Sequence, residues 1–358
     1  AEGSYSVKNY LSFVGMENVI PKNVFSFDVD YFVTMPRMEK GYKSEVQYSK
    51  LDYYFNGEKK PEAIAKGRSA QKRVDARVSW FAFQQQFFSA IMRSPQEFAS
   101  ADFALNYFPE DDESHNLMTG EARLRMDFQP GQHETVVPFE FYFGPNHFKT
   151  LKSFDQKYEK IIPLGGWLVG WFTRFVIIPL FDFLHRFISN FGIIILLMTI
   201  FIKIVVLPFA YKSYSSSAKM QAIKPEIDKL SQKYPKQEDA LKKQQAQMDL
   251  YKRAGISPMG GCLPMLLQFP ILWAMFRFFP ASIELRQQSF LWADDLSAYD
   301  SIIDFGTRIP LIGDHLSLFA LLMAVSMFFY SKITTASQPG ADDPQMASMR
   351  FMSVWMMP

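Results

Sequence analysis

The most apolar segment of this chain carries a lysine near its centre. The segment, NFGIIILLMTIFIKIVVLPFAYK (190–212), has the length of about 20 residues that a helix needs to cross a bilayer. A central lysine costs about 2.5–3.5 kcal/mol of insertion free energy, whereas each Ile, Leu, Phe or Val favours insertion by about 0.3–0.6 kcal/mol. More than a dozen such residues surround Lys203. The segment therefore still inserts, but the charge requires a partner or water.

The depth of Lys203 favours a water-filled pocket over contact with the lipid headgroups. Lys203 precedes Lys212 by nine residues, which corresponds to about 13 Å along a helix. That distance is long for snorkelling, the alternative in which the lysine side chain reaches the headgroups. Thr199 lies one turn earlier on the same face of the helix. We therefore predict a polar stripe, formed by Thr199 and Lys203, that extends into the membrane.

Other arrangements that could do chemistry are weaker. Four serines close to Lys219 could suggest a serine/lysine hydrolase, but nothing in the sequence orients a base; they are Ser213, Ser215, Ser216 and Ser217. The histidines are scattered, and HETVV (133–137) lacks the second histidine of the HExxH metal motif. The chain contains neither GxxxxGK[ST] nor GxGxxG, the nucleotide-binding motifs. We predict no catalytic residue, no cofactor and no metal.

Composition divides the chain into two different halves. The 358 residues have a net charge of +2, which is too small to favour nucleic-acid binding. Residues 1–160 are mixed and charged, whereas apolar runs dominate from about residue 163 onward. The single cysteine, Cys262, excludes an internal disulfide and lies in an apolar run, where packing is its expected role. We expect at least two domains of different character.

The first half predicts a β-rich domain. Apolar and polar residues alternate between Gly, Pro, Asn or Asp in NVFSFDVDYFVTMP, SEVQYSKLDYYF, ADFALNYF, ARLRMDFQ and VVPFEFYFGP. This alternation is typical of strands in a sheet with one buried face. VSWFAFQQQFFSAIM has apolar residues at helical spacing, so it is either a helix or a buried strand. We expect exposed loops at NGEKKPEAIAKGRSAQK and PEDDESHN.

The second half predicts a set of membrane helices. Spans are expected at about 190–212, 258–284 and 314–333, and a further span begins at Met349 and reaches Pro358. Before them, 163–187 combines tryptophans with charged residues, which favours a helix lying in the membrane interface over a crossing helix. The predicted domains are 1–155, which is β-rich, 156–188, which is a linker with the interfacial helix, and 189–358, which is the membrane core. Two amphipathic helices in 213–257 form a predicted hairpin.

The distribution of positive charge predicts how the chain is oriented in the membrane. Ten Lys and Arg lie between Lys212 and Arg253, whereas 286–313 contains only Arg286 and Arg308. The positive-inside rule therefore places the hairpin in the cytoplasm and the β-rich domain on the opposite side, which is the periplasm in a bacterium. No charged leader precedes an apolar run at the N-terminus, and we expect a further crossing upstream of Ala1.

Two stretches around these spans resemble a known family. FIKIVVLPFAYKSYSSSAKMQAIKPEI, followed by a charged hairpin and LYKRAGISPMGGCLPMLLQFPILWAMF, is similar to the YidC branch of the YidC/Oxa/Alb membrane protein insertases. FEFYFGP and SIELRQQSFLWADDLSAYD fit the same family. The resemblance implies a multi-domain membrane protein. Its expected parts are a β-sandwich-like periplasmic domain and an α-helical transmembrane bundle with a cytoplasmic helical hairpin.

The resemblance also implies where substrate binds. In the family a positive residue, usually arginine, lies five positions before a proline in a groove open to the cytoplasm. Lys203 and Pro208 occupy these positions, and Thr199 corresponds to a groove-lining threonine. Lysine keeps the charge but loses the bidentate fork of arginine. The implied exit path for substrate helices comprises Leu263, Pro264, Phe269 and Met275, for which ordinary apolar packing is the alternative.

The implied function is insertion and folding of proteins in the bacterial inner membrane without nucleotide hydrolysis. The expected partners are nascent membrane proteins, the ribosome, the Sec translocon and membrane lipids, with no nucleic-acid binding by the chain itself. A secondary transporter or channel is the alternative, but it predicts internal repeats, and none is visible in the sequence. A tethered periplasmic binding module is a further alternative that leaves Lys203 unexplained.

Overall fold

The computed structural model describes residues 5–64, 66–233, 240–255, 263–309 and 313–336. The chain forms two compact units. The β unit comprises 1–164, 277–288 and 297–299, and the helical unit comprises 165–276, 289–296 and 300–358.

Ten strands of the β unit form two antiparallel sheets. The strands are β1 Ser6–Val14, β2 Ser26–Pro36, β3 Lys50–Tyr54, β4 Glu62–Ile64, β5 Ala70–Val74, β6 Val78–Gln84, β7 Phe88–Phe98, β8 Ser100–Tyr107, β9 Asn116–Asp127 and β10 Glu134–Pro145. The first sheet has the order β1-β10-β7-β6-β3-β4, and the second has the order β2-β9-β8-β5. The prediction of a β-rich N-terminal domain is confirmed.

Alternation of side chains explains the second sheet. In β9, Leu124 and Met126 are fully buried, whereas Arg123 and Arg125 point outward. The outward arginines pair across the strands with β2, since Arg123 Nε lies 2.8 Å from Asp30 Oδ1. Opposite charges at facing positions stabilise the register modestly, because both side chains remain solvated. One face of this sheet is therefore apolar and the other is a charged, solvated surface.

The apolar faces of the two sheets share one core. Phe81 and Phe83 of β6 and Phe103 of β8 belong to this core and are almost fully buried. Tyr31 of β2 stacks on Phe83 with ring centroids 6.2 Å apart, and Phe81 lies 5.3 Å from Phe103. These offset and tilted ring pairs connect the two sheets across the core.

The outer face of the first sheet is covered by the chain that follows β10. This chain contains the helix α2, Phe148–Ser153, and a 3₁₀ turn, Tyr158–Ile161. Trp80 Nε1 donates to the carbonyl of Gln156 at 2.9 Å, and the Trp80 ring meets Tyr158 edge-on. Because β6 is covered on both faces, all seven of its residues are buried. VSWFAFQQQFFSAIM therefore forms buried strands rather than a helix.

Two strand and loop predictions were wrong. SEVQYSKLDYYF was expected to be one strand, but Tyr42–Tyr48 forms a helix, α1, before β3 begins. Glu45 explains the helix, because its buried carboxylate accepts the backbone N–H of Met38 at 3.0 Å. NGEKKPEAIAKGRSAQK was expected to be an exposed loop, but it contains β4 and the start of β5. The strand β1 was not predicted.

The helical unit consists mainly of helices, most of them apolar, whereas Lys224–Lys233 and Ala240–Arg253 are charged. These are α3 Trp167–Phe172, a π-helical turn Thr173–Ile177, α4 Ile178–His185, α5 Phe191–Ala222, α6 Lys224–Lys233, α7 Ala240–Arg253, α8 Leu263–Phe278 and α9 Leu318–Ala336. A short pair of strands, β11 Ile303–Ile309 and β12 Gly313–Leu316, precedes α9. Within the described residues, Trp167–His185 and Phe191–Lys212 are long and apolar enough to cross a membrane, and Leu318–Ile333 is a shorter apolar helix.

The structure gives helix boundaries for three predicted segments. The span predicted at 190–212 continues as helix to Ala222, so 213–222 belongs to α5 and not to a separate hairpin. The span predicted at 314–333 begins as strand β12, and its helix starts at Leu318. The described helix of the span at 258–284 covers Leu263–Phe278 and is followed by two 3₁₀ turns. The predicted span from Met349 lies outside the described residues.

Gly120 of β9 offers a test of the shared core. A Cβ at this position would overlap the ring of Phe83 on the facing sheet. We expect Gly120→Ala to lower the free energy of unfolding by about 1–3 kcal/mol, because a packed core has no room for an extra methyl group. Glu121→Ala, one residue later on the solvated face, is the matched control. Thermal unfolding of each variant, followed by the circular dichroism of the β-sheet, measures both, and equal stability of the two variants would contradict the described packing.

Candidate functional site

One side of α5 is packed and sets the orientation of the whole helix. Ile194, Met198, Ile202 and Val206 are all buried. Their spacing of four residues places them along one stripe of the helix surface. The remaining circumference of the span is largely exposed apolar surface. The packed stripe therefore fixes which way the polar residues of α5 point.

Thr199 and Lys203 lie immediately beside the packed stripe. Each follows a stripe residue, Met198 or Ile202, by one position, and the two polar residues are separated by one helical turn. Both side chains are exposed. The Thr199 hydroxyl donates to the carbonyl of Ile195 at 2.9 Å, so its oxygen can still accept a hydrogen bond. The structure thus brings these two predicted site residues onto one face.

Lys203 has no carboxylate within ion-pairing distance in the part of the chain that the structure describes. A lysine at this depth of an apolar helix is stable only with water or with a negative charge supplied by another molecule. Lys203 lies about 18 Å from Phe191, the first residue of α5, at 1.5 Å per residue. The ammonium group is therefore the strongest electrostatic feature of the span.

Pro208 adds a second polar group next to Lys203. It lies inside α5 and has no N–H to donate to the carbonyl of Ile204, four residues earlier. A carbonyl released in this way needs water or another donor, because an unsatisfied backbone group in lipid costs several kcal/mol. Lys203 and the Ile204 carbonyl are adjacent in the chain, so both groups need water at the same depth in the membrane.

The first turn of α5 is held by three kinds of contact. The side chain of Asn190 accepts the Ile193 N–H at 3.1 Å and caps the helix. His185 stacks on Phe191 with a centroid separation of 4.8 Å. Gly192 allows Phe290 to approach so closely that a Cβ would overlap the phenyl ring. The end of α5 opposite to the charged hairpin is therefore rigidly placed.

The first turn of α9 is held by Asp300. Its Oδ2 accepts the backbone N–H groups of Leu318 at 2.8 Å and Phe319 at 3.0 Å, and also Trp292 Nε1 at 3.1 Å. Its Oδ1 accepts the hydroxyl of Ser317. Burial raises the pKa of Asp300, but these bonds to the ionised carboxylate outweigh it and leave the pKa below its ordinary value. A negative charge also suits a helix N-terminus.

The helices α5 and α9 begin beside the same loop. Phe290 contacts the first turn of α5, and Trp292 packs on Phe319 of α9 with ring centroids 4.5 Å apart. Phe290 and Ala293 close this loop with two mutual backbone hydrogen bonds of 2.9 and 3.0 Å. The two helices therefore start on the same side of the helical unit.

Two of the predicted exit residues, Phe269 and Met275, do not lie on one face of α8. Phe269 is exposed, whereas Met275 is half-buried and lies about 120° further around the helix. Leu263 and Pro264 form the first turn of α8, but their side chains lie outside what the structure describes. The exposed stripe is instead Phe269, Leu272 and Phe276, at helical spacing of three and four. That spacing was visible in the sequence, but Leu272 and Phe276 were not predicted.

The charged helices α6 and α7 follow α5. Their described residues contact each other, and both helices are rich in lysine. The predicted turn of this hairpin, 234–239, lies outside the described residues. Ser215 and Ser216 lie in the last turns of α5. Among the residues that the structure describes, no three His, Cys, Asp or Glu side chains cluster as a metal site requires.

Comparison with known proteins covers nearly the entire chain. Residues 22–181 match the family model described as the YidC periplasmic domain, and residues 183–358 match the model described as the 60Kd inner membrane protein. The chain is 43% identical over 99% of its length to a membrane protein insertase YidC of Bacteroides fragilis, and it covers 59% of that relative. It is 41% identical, again over 99% of its length, to those of Parabacteroides distasonis and Phocaeicola vulgatus, covering 57% and 58% of them. The chain thus spans less than two thirds of the length of these curated relatives.

Asp300 yields a pH-dependent prediction. Because its pKa is lowered in the folded protein, its stabilisation is fully present above the unfolded value of about 3.9 and is lost as the pH falls through the lower folded value. We expect Asp300→Ala to lower the free energy of unfolding by about 0.5–2 kcal/mol at pH 7, because that is the usual effect of losing a helix cap. Hydrogen exchange of the first turn of α9 at pH 7 measures this loss.

The exposed Asp294, in the same segment, supplies the control. We expect Asp294→Ala to leave exchange in α9 unchanged at pH 7. Acidification from pH 5 to pH 2.5 is expected to lower the protection of these amides, measured relative to their intrinsic exchange rates, in the wild type but not further in Asp300→Ala. An acid response of the same size in both proteins would show that Asp300 does not hold α9.

Proposed function

Since this chain belongs to the YidC family of membrane protein insertases, we propose that it takes part in inserting client proteins into the bacterial inner membrane. The observation that carries the proposal is the polar face formed by Thr199 and Lys203 on α5. An anchor helix gains nothing from an unpaired lysine in its middle, because the charge only opposes insertion. The charge therefore acts on another molecule.

The proposed first step is hydration of part of the translocation path. A client with a short polar tail must move that tail across a hydrocarbon layer of about 30 Å. Three polar groups of α5 hold water between about 12 and 20 Å from the start of the helix. They are the Thr199 oxygen, the Lys203 ammonium group and the Ile204 carbonyl. Polar groups that enter hydrated space lose less solvation free energy than groups that enter lipid. The groove shortens the dry part of the path.

The proposed second step is electrostatic capture. An ammonium group attracts a carboxylate 4 Å away by about 4 kcal/mol at an effective dielectric constant of 20, against about 1 kcal/mol in bulk water. The Lys203 charge therefore favours acidic residues in the client tail over neutral ones. Because lysine presents a point charge and no planar fork, the attraction requires no fixed geometry of the carboxylate. Clients with different tails can use the same site.

The proposed third step is release of the client helix into lipid along α8. Phe269, Leu272 and Phe276 form an exposed apolar stripe, and Phe269 stacks on Trp273. An apolar client segment that slides along this stripe loses no contact with apolar surface while it enters the bilayer. Transfer of its side chains out of water supplies the free energy of the step. No nucleotide is consumed in this scheme.

The placement of the helix starts supports a periplasmic β unit and a cytoplasmic charged hairpin. Since α5 and α9 begin beside one loop, both cross from the same side. The lysine-rich α6 and α7 follow the opposite end of α5, and the positive-inside rule assigns that end to the cytoplasm. In this orientation α6 and α7 are positioned to meet nascent chains, with the ribosome and the Sec translocon as further proposed partners.

Substitution of Lys203 tests the electrostatic step. In liposomes containing the full-length protein, we expect Lys203→Arg to insert a small acidic-tailed client at the wild-type rate. Lys203→Ala and Lys203→Glu are expected to slow insertion about tenfold or more, corresponding to at least about 1.4 kcal/mol. Lys212→Ala, on the same helix but at the end of the span, is the matched control. Neutralising the client tail is expected to remove the difference. Equal rates in all variants would exclude Lys203 as a receptor.

A second prediction concerns the exit stripe. Photo-crosslinking residues placed at Phe269, Leu272 and Phe276 are expected to react with an arrested client helix, because these side chains share one exposed face. A probe at the fully buried Ala274 serves as the negative control. Crosslinks of similar yield from all four positions, or from none, would contradict an exit path along this face.

A further inference from the structure

A tight turn at residues 290–293 of the helical unit consists of four apolar residues, FLWA. Polar residues enclose it in the sequence, with QQS before the turn and DD after it. Phe290 and Ala293 exchange two backbone hydrogen bonds, of 2.9 and 3.0 Å, so Leu291 and Trp292 are the two central residues. The tip of the turn is therefore apolar, although its flanks are suited to water.

Leu291 has a backbone conformation that leucine does not favour. Its φ is 56°, and positive φ in this turn is confined to Leu291, the first central residue. Glycine is the ordinary residue at that position, because a side chain crowds the backbone there. The side chain is also 71% exposed, so it gains little from packing within the described part of the chain. Neither the turn nor the core accounts for a leucine at this position.

The neighbours of Leu291 place the turn at the start of two helices. Phe290 packs against Gly192, the second residue of α5, so closely that a Cβ on Gly192 would overlap its ring. Trp292 packs on Phe319, the second residue of α9, and its Nε1 donates to Asp300 Oδ2 at 3.1 Å. Because both neighbours are held in this way, Leu291 is fixed at the level where α5 and α9 begin.

Other exposed apolar side chains lie at the same level. Ile193 in the first turn of α5 and Phe319 in that of α9 are exposed. Ile302 is exposed as well, and its N–H donates to the carbonyl of Leu316, two residues before α9. Leu291 is thus not a single apolar side chain on a polar surface, which would need no explanation. At the start of a membrane-crossing helix, the apolar material that can cover such a surface is the edge of the hydrocarbon layer.

We propose that the 290–293 turn inserts Leu291 among lipid acyl chains and so anchors the starts of α5 and α9 in the membrane. Burial of a leucine in hydrocarbon stabilises by about as much as an unfavourable backbone conformation costs, so lipid offsets the strain. Asp294, the exposed residue directly after the turn, stays in the headgroup layer. The anchor fixes the depth of the first turn of α5 and, through the helix, the depth of Lys203.

The inference rests on the proposed function only in requiring that α5 and α9 cross a membrane, since no client takes part in the contact. Leu291 is a positioning residue for α5, and its partner is the lipid acyl chain. A client segment or a second copy of this chain could also cover an apolar tip. The experiment therefore separates these two occupants from lipid.

The experiment uses the full-length protein, with Cys262→Ser, in liposomes of phosphatidylethanolamine and phosphatidylglycerol. A spin label is attached at Leu291→Cys or, as the matched control in the same loop, at Asp294→Cys. Its collisions are measured with oxygen, which concentrates in hydrocarbon, and with a nickel chelate, which stays in water. We expect the label at 291 to collide more often with oxygen and the label at 294 to collide more often with the chelate.

Three results would overturn the insertion of Leu291. The first is a label at 291 that collides with the chelate as often as the label at 294 does. The second is a label at 291 that becomes shielded from the chelate only when an arrested client is added. The third is shielding that disappears when the labelled protein is diluted with unlabelled protein, because a second copy would then cover the turn.

The anchoring role is tested by a label at Ile193→Cys, in the first turn of α5. Leu291→Gly removes the inserted side chain but suits the positive φ, so we expect no loss of thermal stability. We expect this variant to shift the collisions of the label at 193 toward the nickel chelate, and Leu291→Met to keep the wild-type ratio. An unchanged ratio in Leu291→Gly would overturn the anchor. A shift of the same size in Leu291→Met would overturn it as well.

The proposed function and this inference fail in different ways. If the wild-type protein inserts no client, the proposed function fails, whereas the label at 291 still decides whether the turn enters lipid. If client insertion depends on Lys203 while the label at 291 lies in water, the inference fails and the proposed function stands.

Discussion

An ammonium group cannot remain in dry hydrocarbon, and the organisation of this protein around α5 follows from that constraint. Lys203 lies in the middle of the longest apolar helix, with no carboxylate in ion-pairing distance among the described residues. In the proposed function, water reaches this group, and the hydrated surface inside the bilayer serves as a path for polar chain. The Thr199 hydroxyl lies about one helical turn before Lys203 and the Ile204 carbonyl directly follows it, so the need for water extends over about 8 Å of the helix.

A polar face is useful only if the helix that carries it is held in one rotation. The packed stripe from Ile194 to Val206 fixes that rotation, and Gly192 admits Phe290 to fix the helix end. The same loop places α9 through Trp292, while Asp300 caps its first turn. In the proposed function, these fixed helix starts leave the exposed faces of α5 and α9 free to meet client segments.

Patterns within short stretches made part of this structure predictable. Alternation along ARLRMDFQ was sufficient to predict β9. The contrast between Lys203 and its apolar neighbours is likewise visible in the sequence, and the site proposed on α5 rests on it. The same rule failed for SEVQYSKLDYYF, because the buried carboxylate of Glu45 turns back to bond the loop directly before the helix, a contact that a strand would not allow. The edge strand β1 is exposed along most of its length and lacks a clear alternation. Arg286 and Glu39 of the β unit form an ion pair although they lie 247 positions apart, a relation that no local pattern contains.

Hydration of α5 is the central claim, and water accessibility around the helix tests it most directly. Spin labels would be placed at Thr199, Phe201 and Lys203 of the full-length protein in liposomes, and deuterium modulation from D₂O would be measured at each. Phe201 lies at an intermediate depth but about 160° around the helix from both polar residues. The account predicts strong modulation at positions 199 and 203 and weak modulation at 201. Weak modulation at all three positions would contradict it, because Lys203 would then lie in a dry helix with no path for a polar chain.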